Sequence, residues 1–156
     1  MRRLLIFCLL AATLSACGPK VVFSEEVSFP DSGWTYADSA RFDFEIPNAE
    51  QAYDYVLTLD HSPDFPAQNF YVRIHTDFPS GVRRTEEVSL QLAGEFGAWN
   101  GACSGDNCQF EVPILRNARF EDTGKYGLTI EQFSRDNPLG GVSKLGFLVV
   151  ESGTNG

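Results

Sequence analysis

Apolar and polar residues alternate with a period of two along most of the chain, and no period near 3.6 persists for three helical turns. Phe42, Phe44 and Ile46 alternate with Arg41, Asp43 and Glu45, and Tyr53, Tyr55, Leu57 and Leu59 with Asp54, Val56, Thr58 and Asp60. The same alternation marks Phe70/Val72/Ile74, Val88/Leu90/Leu92, Phe110/Val112/Ile114, Tyr126/Leu128/Ile130 and Leu145/Phe147/Val149. Side chains of a strand point to opposite faces in turn, so each run predicts a half-buried strand. Turns such as Ser62-Pro63-Asp64-Phe65-Pro66 and Asp136-Asn137-Pro138-Leu139-Gly140-Gly141 separate the runs. About seven short strands without helices predict an all-β fold, an antiparallel β-sandwich of immunoglobulin-like or jelly-roll type. Asp122-Thr123-Gly124-Lys125-Tyr126 carries the D-x-G-x-Y pattern of a tyrosine corner, in which a tyrosine hydroxyl at the start of a late strand bonds back to the chain upstream.

The pattern changes at the amino terminus. Arg2 and Arg3 precede an apolar run from Leu4 to Ala12 that is too short to span a bilayer, and small residues then lead to Cys17. Leu14-Ser15-Ala16-Cys17 resembles the bacterial lipobox, where the leader is cut before a cysteine whose thiol becomes diacylated. Residues 1–16 are therefore expected to be a lipoprotein signal peptide, residue 17 the lipidated cysteine, 17–30 a tether and 31–156 the sandwich domain. Two or three acyl chains hold a protein at a membrane where one holds it marginally, so the expected attachment is anchoring without spanning.

Export decides how the cysteines are read. Cys8 leaves with the leader and Cys17 carries lipid, which leaves Cys103 and Cys108 as one pair in a compartment where disulfides form. Zinc would need a second pair of ligands, and a redox couple is more typically C-x-x-C beside a βαβ unit. Residues facing each other across a hairpin loop lie within disulfide range, so the pair is expected to be a staple. The leader takes two of the 12 basic residues and none of the 21 acidic ones, leaving ten against 21 and a net charge of −11 on the mature chain. Nucleic acid and anionic headgroups are poor partners for such a surface.

Several short motifs recur in a fixed order: Phe29-Pro30 before Trp34, Phe42-Asp43-Phe44, Phe65-Pro66-x-x-Asn69, Pro79-x-Gly81 and Trp99-x-Gly101. They continue through Phe120-x3-Gly124-x-Tyr126, Ile130-Glu131-Gln132, Arg135, Leu139-Gly140-Gly141-Val142 and Leu145-Gly146-Phe147. In this order and spacing the chain resembles the gliding-motility lipoproteins of the GldH type. The resemblance implies a non-catalytic structural or assembly component of the gliding and type IX secretion machinery, with envelope proteins as partners and no cofactor. Gly18 rather than Asp after the cysteine leads to the expectation that the lipid-anchored protein passes to the outer membrane. Gly18-Pro19-Lys20-Val21, without acidic residues after the cysteine, points to its periplasmic face.

Reactive chemistry leaves little trace in the sequence. His61, in a proline-rich turn, and His75, on a strand, lack ligands at metal spacing and are expected to be ordinary surface or turn residues. The acidic pairs Glu25-Glu26, Glu86-Glu87 and Glu121-Asp122 sit where strand neighbours diverge to opposite faces, so they read as solvated charge and no catalytic or metal residue is assigned. A glycan- or peptidoglycan-binding module is the alternative, with Trp34 and Trp99 as a stacking platform, although both tryptophans are better read as closing the ends of the core. The expected partner-binding surface is the outer side of the third strand, where Tyr71, Arg73 and His75 alternate with the buried set, Tyr and Arg being types enriched at interfaces.

Overall fold

The computed structural model describes residues 18–153, so Cys17 lies outside the described residues. Among these are nine strands and no α-helix: β1 (Val21–Ser28), β2 (Ala40–Ile46), β3 (Tyr53–His61), β4 (Asn69–Asp77), β5 (Arg83–Gln91), β6 (Ala102–Ser104), β7 (Asn107–Ala118), β8 (Gly124–Gln132) and β9 (Val142–Glu151). They form two sheets, ordered β1-β9-β3-β7-β6 and β2-β8-β4-β5, and every pairing is antiparallel. The sandwich is thus as expected, with nine strands in place of about seven. The two additions are the three-residue β6 and β1, the latter within the stretch expected to be tether.

The alternation becomes the core directly. β2 is buried at every other residue, with Phe42 and Ile46 fully enclosed, and β3 buries Tyr53, Tyr55, Leu57 and Leu59 in the same way. Phe44 of one sheet meets Phe147 and Tyr55 of the other edge-on at 5.3 and 5.5 Å and stacks on Tyr126 at 5.8 Å. Edge-on and offset rings satisfy the aromatic quadrupole, and each such buried ring contributes about 1.5–3 kcal/mol. β1 adds Phe23 to this cluster, 5.7 Å from Phe44 and 5.9 Å from Phe147.

The registers give the sandwich two distinct ends. β1 starts with Val21 opposite Val150, and Tyr53 opposes both Glu151 and Ala118, so the first described residues, the last ones and the loops 47–52, 78–82 and 119–123 share one end, termed near. His61 opposes Cys108 and Val142, and β4 leaves from the same side. The loops 29–39, 62–68, 92–101, 105–106 and 133–141 therefore share the opposite end, termed far. Strands of about nine residues separate the two by about 30 Å.

Candidate functional site

At the near end the fold begins almost at once after position 17. The amide of Glu151 donates to the carbonyl of Lys20 at 2.8 Å, and Lys20 Nζ reaches Glu151 Oε1 at 2.8 Å. Two tyrosines close loops here. Tyr126 Oη donates to the carbonyl of Asp122 at 2.8 Å, which is the tyrosine corner read from D-x-G-x-Y, and Gly124 makes its tight entry with φ of +122°. Tyr53 Oη repeats the device on the carbonyl of Asn48 at 3.0 Å. Asp77 forms a charged hub between Arg83, 2.6 Å away at Nε, and Arg41. The two guanidiniums, Arg83 before Arg41, hold the Asp77 carboxyl well below the ordinary carboxylate range.

The outer face of β4 carries the three residues expected to bind a partner. Phe70, Val72 and Ile74 point inward, and Tyr71, Arg73 and His75 point out. Only Tyr71 is free and half exposed. Arg73 pairs with Glu87 at 2.9 Å and lies over the ring of Phe133 at 4.0 Å, a cation–π contact. His75 meets Thr85 Oγ1 through Nδ1 at 2.8 Å and Glu131 through Nε2 at 3.3 Å. Two of the three are therefore held by cross-strand partners, while Tyr71 and Phe133 lie open beside them, joined by the bond from the Phe133 amide to the Tyr71 carbonyl at 2.8 Å.

The far end is pinned by polar groups that pattern reading passed over. Gln132 is buried. Its Nε2 donates to the carbonyl of Asp136 at 3.0 Å and of Trp34 at 3.4 Å, and its Oε1 accepts from Ser134 N at 2.9 Å and Ser134 Oγ at 2.7 Å. Trp34 is enclosed, stacked on Phe29 at 4.4 Å and bridged through its backbone to Leu139. Tyr36 leans on the same loop, donating from Oη to the Ser134 carbonyl at 2.7 Å. The Phe29, Trp34, Ile130-Glu131-Gln132 and Leu139 motifs are thus one assembly in space.

Cys103 and Cys108 are joined, as expected, with Cα atoms 3.9 Å apart. The hairpin is tighter than a four-residue loop: Ser104 pairs with Asn107, leaving only Gly105 and Asp106 in the turn. Gly101 of the Trp99-x-Gly101 motif precedes it because no side chain fits, a Cβ there falling 2.2 Å from the Gln109 carbonyl oxygen. His61 differs from expectation. It is the last residue of β3, fully buried, with Nδ1 2.8 Å from the Ser62 carbonyl, Nε2 unpartnered and its ring edge-on to Trp99 at 4.7 Å. Trp99 is half-buried against it, so with Trp34 enclosed the two tryptophans form no stacking platform.

Among the described residues, no three His, Cys, Asp or Glu side chains gather to hold a metal, and no helix is long and apolar enough to cross a membrane. The buried Gln132 side chain and the tyrosine hydroxyls of Tyr53 and Tyr126 close loops, while Tyr55 Oη and His61 Nε2 are buried without a partner. What the geometry presents outward is an all-antiparallel β-sandwich whose outer polar side chains are tied mostly to neighbouring strands and loops. The sequence matches the GldH lipoprotein family over residues 21–149, from the first residue of β1 into β9, and the chain belongs to that family. It is similar to a gliding motility lipoprotein GldH homolog of Christiangramia forsetii, at 23% identity over 94% of both chains. It is similar also to the gliding motility lipoprotein GldH of Flavobacterium johnsoniae, at 24% identity over 92% of this chain and 93% of that one. The family is named for a motility lipoprotein and not for an enzymatic activity. Tripeptidyl peptidase 2 aligns with a TM-score of 0.43 and 11% identity over 82% of this chain and 10% of its own, too weak a likeness to carry any argument.

Proposed function

We propose that the protein is a lipid-anchored, non-catalytic structural or assembly component of the gliding motility and type IX secretion machinery. It is held through Cys17 at the periplasmic face of the outer membrane. The observation that supports this most is the extent of the family match, which runs through the whole sandwich and reaches relatives named for gliding motility. Lys20 already belongs to the fold, so an acylated Cys17 is separated from it by three peptide links, about 10 Å at full extension. The near end then faces the membrane. The contact surface for envelope proteins is the outer face of β4 with Tyr71, Arg73 and His75, where Tyr71 supplies the exposed ring and the other two hold its surroundings rigid.

The test is replacement of the anchor. Cys17→Ala should leave a protein that folds but is uncleaved or mislocalised, with secretion of type IX cargo lost or impaired, and gliding too in a host that glides. Full secretion by an unlipidated, released chain would overturn the reading. The β4 surface has its own test, because Tyr71→Ala with Arg73→Glu should leave the melting temperature within a few degrees of the parent and remove a cross-linked envelope partner. An unchanged cross-link pattern would clear that face of a role.

A further inference from the structure

The exposed aromatic side chains are not spread over the molecule. Phe96, Tyr36, Tyr71 and Phe133 are the exposed aromatics among the described residues, and all four lie at or beside the far end, whereas the exposed Val21 and Val82 lie at the near end. Phe96 is the extreme case: its exposure is 103% of the reference value and its φ is +63°, a left-handed backbone that a bulky side chain rarely adopts. Its loop is held in place, by Gly94 N to Ala98 O and Asn100 N to Leu92 O, each 2.8 Å, and by Asn100 Nδ2 to the Gln91 carbonyl at 3.0 Å. A fixed loop that maintains a disfavoured backbone and a fully solvated ring gains nothing for the isolated fold.

Charge divides the same way. The far-end loops carry six exposed acids, Asp31, Asp38, Asp64, Glu95, Asp106 and Asp136, against a single base, Arg135. None of the six is paired with a cation among the described residues. The near-end loops hold Glu50, Glu121 and Asp122 against Lys20 and Arg119, close to balance.

We infer that the far end is a docking surface for a lysine- and arginine-bearing segment of a partner protein, with Phe96 as the ring buried on contact. Aromatic rings that share one end of the fold with acids unpaired by any cation, Phe96 following Glu95 directly, suit cationic side chains twice, through cation–π attraction and through charge complementarity, which speeds encounter and selects the partner. An anionic lipid surface would be repelled, and a fully projecting phenyl ring is a knob for a pocket rather than a flat bed for a sugar. The inference rests on the anchored-scaffold reading for the direction this end faces, away from the membrane by about the length of the strands, and it adds the partner's chemistry.

The test places photoreactive benzoylphenylalanine in the full chain at position 96 and, as a control, at Val82, in cells that make the protein. Position 96 should yield a protein adduct whose cross-linked peptide carries Lys or Arg, and Val82 should not yield it. The adduct should fall several-fold with Glu95→Lys plus Asp106→Lys, and in isolated envelopes when salt rises from about 0.05 M to about 0.5 M. Phe96→Gly should keep or raise the melting temperature and still lose the partner. Adducts with lipid or glycan only, no adduct at 96, or a protein adduct indifferent to both charge reversal and salt would overturn the inference. Secretion that survives Cys17→Ala would instead overturn the scaffold reading and leave the adduct at 96 standing.

Discussion

The two ends of the sandwich are closed by different means. At the near end, tyrosine hydroxyls from β3 and β8 clasp the carbonyls of short loops, and Asp77 gathers Arg83 from the adjacent β5 and Arg41 from β2, two strands away. At the far end the loops are longer, and their order comes from one buried amide, one disulfide and an enclosed tryptophan. The contrast shows that precision in a long loop needs an internal polar hub, since each buried backbone group must find a partner and the strands are too distant to supply it. Around that hub the far end encloses Trp34 and Phe65 but leaves Tyr36, Phe96 and Phe133 outside, and the near end keeps Tyr53 and Tyr126 inside.

The contrast can be broken experimentally. Gln132→Leu should have the largest effect, about 3 kcal/mol in urea unfolding, because the Asp136 and Trp34 carbonyls and the Ser134 amide lose their buried partner. Hydrogen exchange should speed up across residues 133–139 and stay unchanged across 119–123; equal changes at both ends would erase the distinction. Reducing Cys103–Cys108 comes next, at about 2 kcal/mol on the chain-entropy account of a six-residue loop, and two titratable thiols in protein purified without reductant would refute the bond.

Tyr126→Phe should cost about 1–2 kcal/mol, and its sharpest control is Tyr55→Phe. Tyr55 carries a buried hydroxyl without a partner, and desolvation pushes its ionisation well above the usual tyrosine range. Removing that hydroxyl should leave stability unchanged or raise it by up to about 1 kcal/mol. A loss at Tyr55 as large as at Tyr126 would mean that the corner bond is not what matters.

The smallest effect concerns pH. Asp77 is depressed in the folded state, so its contribution is complete above its unfolded value of about 3.9 and is lost as pH falls through the lower folded value. Asp77→Asn should therefore cost under about 1 kcal/mol at neutral pH, the hub being partly exposed. It should also flatten the decline of stability below about pH 4. An unaltered acid limb would remove the hub from the near end's account.

Sequence patterning reached the sheets because each central strand has one face in the core, which makes hydrophobicity alternate. β1 escaped because it is an edge strand with little buried on either side, and Ser24-Glu25-Glu26 interrupts its apolar residues. β6 is too short to carry any period. His61 and Gln132 share one lesson. Each is the next inward position of an alternating strand, after Tyr53/Tyr55/Leu57/Leu59 and after Tyr126/Leu128/Ile130, so the phase placed them inside while their polarity suggested solvent. Phase was the better guide. The outward residues Tyr71, Arg73 and His75 were placed correctly by phase as well, but the ties of Arg73 and His75 to neighbouring strands depend on register, which one strand's sequence does not carry. The projection of Phe96 depends on loop geometry and left no periodic sign.

The position of β1 has a mechanical consequence. β1 is the first strand of the sandwich, and it runs antiparallel to β9 from the near end toward the far end. A load applied between position 18 and a partner held at the far end pulls β1 along its own axis, so its ladder bonds with β9 share the strain and must give way together. The same load applied between residues 18 and 153, both at the near end, would peel those bonds apart one after another. Single-molecule pulling should therefore find a higher rupture force between positions 18 and 96 than between 18 and 153, with equal forces ruling the idea out. A sandwich loaded in this way is strong along the line from its near end to its far end and weak across its own termini.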